Sequence, residues 1–234
     1  MPRPLATKTV VDAVTDDLRG RILDGSLTSA AAVTELEIAT SYSVARPTAK
    51  AAIEKLVGEN LLVRGTHKSA RVAELGPDSV REIYLARAYL ESEILRRLAA
   101  GRTVPEEAAR ANAELLALAS AGDLAIVEPD MRFHTALVEA AGNGRIARMY
   151  RSLVSEVRLC MMRVQSLHLL DSTAIHAEHQ LILDHLAAGN SEAAAATLDA
   201  HLATARERLA DAVGVGAGHE LAVTAHPRPH RLAP

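Results

Sequence analysis

Four residues whose side chains can bind a metal ion stand in the second half of the chain: Asp130, His134, His179 and His201. Asp130 and His134 are four positions apart, so on a helix they lie on one face, one turn apart. The two later histidines each fall in a separate predicted helix. A carboxylate with three imidazoles suits divalent Zn, Ni or Mn, and it makes a metal that prefers thiolates unexpected. The spacing therefore predicts a site for one divalent metal ion.

The hydrophobic residues around these four predict that all of them point inward. The apolar residues that share their helix faces are Leu137 and Ala141, then Ile175, Ile182 and Leu186, and finally Leu198, Leu202 and Leu209. Four polar groups buried together are unfavourable unless a metal ion or a proton network joins them. A single inward histidine is more often an ordinary core residue, so a helical bundle with a packing-only histidine cluster stays open as an alternative.

The elements that would position these residues form an all-helical region. Beyond Gly76-Pro77, helical periodicity predicts six helices, at 78–100, 104–120, 124–141, 145–168, 172–188 and 191–213. Breaks are expected at Gly101, Pro105, Gly122, Pro129, Gly142-Asn143-Gly144 and Gly189-Asn190. Short links between antiparallel helices predict a bundle over residues 76–213. Residues 214–234, rich in Gly, His and Pro, are expected to be a disordered tail.

The first 75 residues predict a different, mixed unit. Helices are expected at 10–24, 33–40 and 45–59, followed by short strands at 61–64 and 70–73 that a hairpin at 65–69 connects. This order is typical of a winged helix-turn-helix domain, here residues 1–75. The whole chain is therefore expected to be mainly α, with one small β-hairpin.

The third helix and the hairpin carry candidate DNA contacts. Arg46 and Lys50 share one helix face with Thr48 between them, and His67 and Lys68 lie at the hairpin tip. A recognition helix inserts its first turns into the major groove, where cationic side chains bind guanine O6 and N7. An ordinary solvated face would explain Arg46 and Lys50 alone. Double-stranded DNA is favoured as the partner by three features in this order: a turn at 41–43, a third helix with an inward apolar face, and the basic hairpin.

Composition limits the remaining classes of function. The 234 residues carry a net charge of −3, so nucleic-acid contact requires a local basic patch. Such a patch runs from Arg46 to Arg71. One cysteine, Cys160, excludes an internal disulfide and fits a reducing compartment. Neither a signal peptide nor a membrane-spanning apolar stretch is evident, so a soluble, cytoplasmic protein without membrane contact is expected.

Residues 10–75 resemble the DNA-binding domain of GntR-family bacterial transcription regulators. The resemblance rests on Ser-Val-Ala-Arg-Pro-Thr-Ala-Lys at 43–50 and Leu-Val-Gly-Glu-Asn-Leu-Leu at 56–62. It implies DNA contacts from Arg46, Thr48, Lys50 and the wing tip. Ala45 replaces the usual capping Ser or Thr, which should weaken the helix start by about 1 kcal/mol.

Residues 78–210 are similar to the FCD effector domain of that family's FadR subfamily. The motifs are the segment 80–91, Asp-Met-Arg-Phe-His-Thr-Ala-Leu at 130–137, Ala-Gly-Asn at 141–143, and the pairs 178–179 and 201–202. Six helices favour the shorter, VanR-like branch. The resemblance implies a divalent metal at Asp130, His134, His179 and His201, with open positions for an effector carboxylate. It also implies that Arg87 lines the effector pocket. A salt bridge from Arg87 to Glu91, four positions on, is the simpler alternative.

Together these features predict a metal-containing, ligand-responsive transcription regulator rather than an enzyme. A homodimeric repressor is expected, which binds a pseudo-palindromic operator and senses a small organic acid. A metal-dependent hydrolase is the enzymatic alternative. The sequence does not support this alternative, because His-Ala-Glu-His at 176–179 is not a His-Glu-x-x-His array. No inward carboxylate besides Asp130 is placed as a general base.

Overall fold

The computed structural model describes residues 8–65, 69–118, 123–163 and 171–224. These residues form nine helices and three short strands, so the prediction of a mainly α chain with an N-terminal winged helix-turn-helix is confirmed. The N-terminal elements are α1 (Val10–Leu23), β1 (Ala32–Val33), α2 (Glu35–Ser41), α3 (Arg46–Gly58), β2 (Leu62–Arg64) and β3 (Ala70–Val72).

Local capping explains where the first helices begin. Thr9 accepts a hydrogen bond from the backbone of Asp12, whose carboxylate bonds back to Thr9, and Thr34 and Glu37 repeat this arrangement at α2. Such reciprocal capping satisfies the unpaired N–H groups of a first turn. Ala45 precedes α3 without a side-chain cap, as its residue type predicts.

The small sheet has the order β1-β3-β2, and both pairs are antiparallel. Leu62 pairs with Val72, and Ala32 pairs with Arg71 on the other side of β3. The predicted hairpin is present as β2 and β3, but β1 was not predicted, and the expected helix start at 33 is wrong because Val33 lies in that strand. A two-residue strand is too short to show an alternating pattern, and only its pairing with β3 defines it.

The rest of the described chain is helical. Its helices are α4 (Pro77–Ala100), α5 (Glu106–Ala117), α6 (Asp123–Ala140), α7 (Gly144–Arg163), α8 (Ser172–Ala188) and α9 (Ser191–Thr224). The expected end of the last helix at 213 is wrong, since α9 continues to Thr224. Pro129 does not break α6 but lies inside it. It deprives the carbonyl of Ala125 of its helical donor, and Ala125 is exposed to water.

The bundle is organised around α4, which packs most extensively against α9 and also contacts α6, α7 and α8. Its apolar core includes Leu95, Phe133, Leu137, Ile182 and Leu198. Within the part of the chain that the structure describes, no helix combines the length and apolar character needed to cross a lipid bilayer.

Candidate metal centre and nucleic-acid interface

Three helices of the bundle bring the four predicted metal ligands together. Asp130 and His134 lie on α6, His179 on α8 and His201 on α9, and all four are buried. One ligand atom from each residue lies within 4.8 Å of every other. Two ligands held at about 2.1 Å by one ion are at most about 4.2 Å apart. A pair of ligand atoms at the 4.8 Å limit must therefore approach by at least about 0.6 Å before the four groups can share one ion.

Distances inside the cluster show that Asp130 faces two of the imidazoles. Its Oδ1 atom lies 3.4 Å from His179 Nε2 and 3.8 Å from His134 Nε2. The ring of Phe133 stacks on that of His179, with centroids 3.7 Å apart and an interplanar angle of 5°. This stacking fixes the plane of an imidazole that makes no hydrogen bond to the described residues.

Two further carboxylates orient the other imidazoles. Glu91 Oε2 lies 2.6 Å from His134 Nδ1, and Glu178 Oε2 lies 2.6 Å from His201 Nδ1. Since an ionised carboxylate only accepts hydrogen bonds, each histidine donates from Nδ1 and keeps its lone pair on Nε2. Histidines that bind metals are commonly oriented in this way.

Burial favours the neutral, metal-binding form of two of the imidazoles, those of His134 and His179. It lowers the pKa of His134, although Glu91 acts in the opposite direction. Burial, with the nearby His201 and His134, also lowers the pKa of His179 well below its usual value. Neutral imidazole is the ligating species, so both side chains are prepared to bind a cation at neutral pH.

The unpaired atoms of the cluster fit a divalent cation. Asp130 Oδ1, His134 Nε2 and both ring nitrogens of His179 are buried without a hydrogen-bond partner among the described residues. Leaving such a group unpaired costs about 1–3 kcal/mol. Beside the cluster, the carboxylates of Glu91 and Glu178, whose pKa values are lowered, outnumber the one guanidinium of Arg87 that binds Glu91. A divalent cation would balance that charge and occupy the orphaned atoms.

Arg87 is buried beside this cluster and is already partly bound. Its Nε donates to Glu91 Oε1 at 2.9 Å, and the hydroxyl of Tyr150 donates to the same oxygen at 2.7 Å. Burial raises the pKa of Glu91, but His134, Arg87 and the hydrogen bond from Tyr150 outweigh it and lower the pKa to about 2. The alternative of a salt bridge to Glu91 is therefore present. Arg87 Nη2 nevertheless has no partner among the described residues.

A cavity of roughly 70 Å³ adjoins the ligand cluster, which consists of Asp130, His134, His179 and His201. Its lining includes Arg87, Asp130 and His201, together with Thr204 and Arg208 of α9. One water needs about 10–15 Å³ of such space, so the cavity has room for a small molecule. The arrangement can therefore bring a small anion against both a metal position and a guanidinium.

In the winged-helix domain, α3 presents the predicted DNA contacts at its start. Arg46 and Lys50 are exposed and Thr48 is half-buried, while Ala49, Ile53 and other apolar residues of α3 pack inward. Among the described residues, neither Arg46 nor Lys50 makes an ion pair. Both side chains are thus available to a negatively charged partner.

Other parts of the basic patch are neutralised within the domain. Lys55 pairs with Asp12 of α1, and Arg64 pairs with Glu54. Fewer positive charges of the patch are therefore available to DNA than the number of Lys and Arg residues in the sequence indicated. The predicted contacts His67 and Lys68 lie outside the described residues.

Two known protein families match the chain, one over the winged-helix domain and one over the helical bundle. Residues 10–72 match the family described as "Bacterial regulatory proteins, gntR family", and residues 82–204 match the "FCD domain". The chain belongs to the GntR family of bacterial transcription regulators. It is a DNA-binding regulator with an FCD domain, and this family is not enzymatic.

Relatives of this GntR-family regulator cover most of its length. It is 30% identical to the "Probable D-xylose utilization operon transcriptional repressor" of Paenarthrobacter nicotinovorans over 85% of its own chain and 88% of that protein. A GntR regulator from Rhodococcus sp. RHA1 has a similar structure, with 24% identity, a TM-score of 0.72 and coverage of 85% and 96%. McbR/YncC of E. coli gives a TM-score of 0.65 at 17% identity, with coverage of 92% and 100%. These two structures support the fold alone.

Several residues at the site of this regulator were not predicted to act there. Tyr150 and Glu178 were not assigned a role, and Glu91 was considered only as a partner of Arg87. The sequence singled out Asp130 as an inward carboxylate, and the structure adds Glu91, which is fully buried. A signal was present, since Tyr84, Arg87 and Glu91 recur at helical spacing on one face of α4.

Proposed function

We propose that this GntR-family regulator is a repressor whose FCD domain binds a divalent metal ion and senses a small carboxylate. The metal ligands would be Asp130, His134, His179 and His201. One observation carries the proposal. Three of these side chains have buried polar atoms without a hydrogen-bond partner among the described residues, and the ligand atoms of all four lie within 4.8 Å of one another. When bound, Zn, Ni or Mn would supply open coordination positions for an anionic ligand.

Arg87 would be the second anchor for that ligand. It lines the cavity with Asp130 and His201, and its Nη2 atom has no hydrogen-bond partner among the described residues. Glu91 and Tyr84 hold the guanidinium in place, since its Cζ lies 4.9 Å above the Tyr84 ring. A held guanidinium binds a carboxylate through charge-assisted hydrogen bonds with little loss of side-chain entropy. This supports a small organic acid as the effector.

DNA binding would come from two copies of the winged-helix domain. Arg46 and Lys50 would bind base edges or phosphates in the major groove, with Thr48 beside them. His67 and Lys68, which lie between β2 and β3 in the sequence, are proposed to contact the adjacent groove or phosphates. A homodimer would then recognise a pseudo-palindromic operator. The relative named as an operon repressor supports repression as the polarity.

A combined metal, ligand and DNA assay tests this function. Protein purified without chelator should contain about one divalent ion per chain. A thermal-shift panel of small carboxylates and sugars, with and without Zn, Ni or Mn, should find an acid that stabilises only the metal-loaded protein. Selection from random duplexes should yield a pseudo-palindrome whose binding that acid weakens. Absence of metal, with no loss of thermal stability on chelation, would favour the packing-only histidine cluster instead.

A further inference from the structure

Helix α7 lies between the ligand cluster and the winged-helix domain and contacts both. Towards the bundle core, the buried Tyr150 donates its hydroxyl to Glu91 Oε1 at 2.7 Å, and Glu91 in turn binds His134 Nδ1. Towards the other domain, Glu156 Oε2 accepts a hydrogen bond of 3.0 Å from the side-chain amide of Asn60. α7 also packs against α1. One helix therefore connects a partner of a proposed metal ligand to the DNA-binding half.

Asn60 is fixed to the end of the proposed recognition helix. It follows Glu59, the C-cap of α3, and its backbone N–H bonds to Val57 in that helix. Its φ of 58° is a left-handed conformation that asparagine tolerates better than most residues. Glu59 is itself held by two hydrogen bonds of 2.7 Å from Arg19 of α1. A displacement of Glu156 would therefore act on α3 and α1 together.

The contacts of α7 lie on different faces of a stiff element. Glu156 is six positions beyond Tyr150, which places the two about 9 Å apart along the axis and on different sides. Arg158 binds Glu128 of α6 at 2.7 and 2.8 Å, two residues before Asp130. Met161 lines the cavity itself. Movement of the ligand cluster thus has several points of contact with α7, and packed helices shift as units rather than bending freely.

We propose that α7 transmits the occupancy of the ligand cluster to the recognition helix, through Tyr150–Glu91 on one side and Glu156–Asn60 on the other. This inference rests on the proposed metal centre. When His134 changes position on binding, Glu91 follows, because its hydrogen bond holds the Nδ1 side of the ring. Tyr150 moves with Glu91, since a buried hydroxyl without a partner is unfavourable. α7 then repositions Glu156, and with it the end of α3.

Hydrogen–deuterium exchange of the full-length protein with zinc as the probe tests this coupling. Exchange of the peptides covering 54–64 is compared between zinc-saturated and chelated protein, while metal content is measured in parallel. Tyr150→Phe removes only the hydroxyl and keeps the buried ring. Asn60→Gly removes the whole side chain, including the amide, and tolerates the positive φ. Tyr89→Phe makes the same chemical change as the first variant at an exposed tyrosine of α4 and serves as the control.

In the wild type and Tyr89→Phe, zinc should change exchange at 54–64 by about fivefold or more, the lower end of usual coupling between sites. Tyr150→Phe and Asn60→Gly, each measured at a zinc concentration that saturates the variant as verified by its metal content, should show a change below about twofold. Zinc uptake without an exchange change in the wild type, or a full change in both variants, would overturn the coupling alone. No zinc uptake by the wild type would overturn the proposed metal centre, and the coupling with it.

Discussion

In the winged-helix domain, Arg46 and Lys50 are exposed outside an apolar core, whereas in the helical bundle His134 and His179 lie inside the core itself. The first arrangement separates folding from binding, because the charged side chains contribute little to packing. The second arrangement couples folding to binding, because the same buried polar atoms need partners both for the bundle to be stable and for a ligand to bind.

This difference has a measurable consequence. Replacing an exposed residue of α3 should alter DNA affinity while leaving stability nearly unchanged. Replacing a buried residue of the ligand cluster should alter metal binding and stability together. The two halves of the molecule can therefore be distinguished by whether function and stability change in parallel.

The largest expected effect is that of His179→Ala. The change removes one of four proposed ligands, so zinc affinity should fall by more than about 100-fold, beyond the 10–100-fold usual for residues that only support a ligand. Zinc should then no longer raise the melting temperature. Competition with a chelator of known affinity measures the first effect and thermal unfolding the second.

His185→Ala provides the matched control for that variant. His185 lies on the same helix, half-buried in its last turn and outside the ligand cluster. Its removal should leave zinc affinity within about threefold of the wild type, as expected for a residue that neither binds nor supports the ion. Equal zinc affinity in both variants would exclude His179 as a ligand.

Glu178→Gln tests how far the ligand cluster depends on its supporting carboxylates. The amide oxygen can still accept the hydrogen bond from His201 Nδ1, but without negative charge it makes the imidazole less basic. Zinc affinity should fall by about 10–100-fold. Glu82→Gln, an exposed position on α4, should have no effect. An unchanged zinc affinity in Glu178→Gln would mean that the contact with His201 serves packing only.

Arg46→Ala examines the other side of the comparison. Affinity for duplexes selected by the wild type should fall by about 1–3 kcal/mol, while the free energy of unfolding stays within about 0.5 kcal/mol. Fluorescence anisotropy and denaturant titration measure the two quantities. Arg145→Ala changes an exposed arginine of α7 and should affect neither. If Arg46→Ala binds the selected duplex like the wild type, α3 is not the recognition helix.

The sequence predicted the helices well because their hydrophobic periodicity is long and regular. The bounds of α8 agree with its periodic stripe, and that stripe placed His179 between Ile175 and Ile182 in the core. The stripe on α6 likewise placed Asp130 and His134 on one inward face. Periodicity therefore sufficed to predict which faces meet, and the four proposed ligands on those faces do lie together.

Contacts between distant charged residues were not predictable in the same way. The pairing of His201 with Glu178 depends on how α8 and α9 pack, and the pairing of Lys55 with Asp12 depends on α1 and α3. Spacing along one helix does not contain this information. Glu91 was missed as an inward carboxylate for another reason, because a charged residue type normally indicates exposure and here a guanidinium and an imidazole compensate its burial.

The smallest expected effect concerns the start of α3 in the winged-helix domain, because this helix has no side-chain cap. Ala45→Ser should stabilise the protein by about 0.5–2 kcal/mol, because the hydroxyl can accept a hydrogen bond from the backbone N–H of Thr48. That N–H now bonds only to the Ala45 carbonyl, at 2.9 Å. Ala109→Ser, inside α5 and exposed, controls for the residue type and should be slightly destabilising. Denaturant unfolding of both variants measures the difference. A gain at position 45 without any change in zinc affinity would show that the two halves can be stabilised independently, whereas a parallel change in zinc affinity would reveal coupling between them.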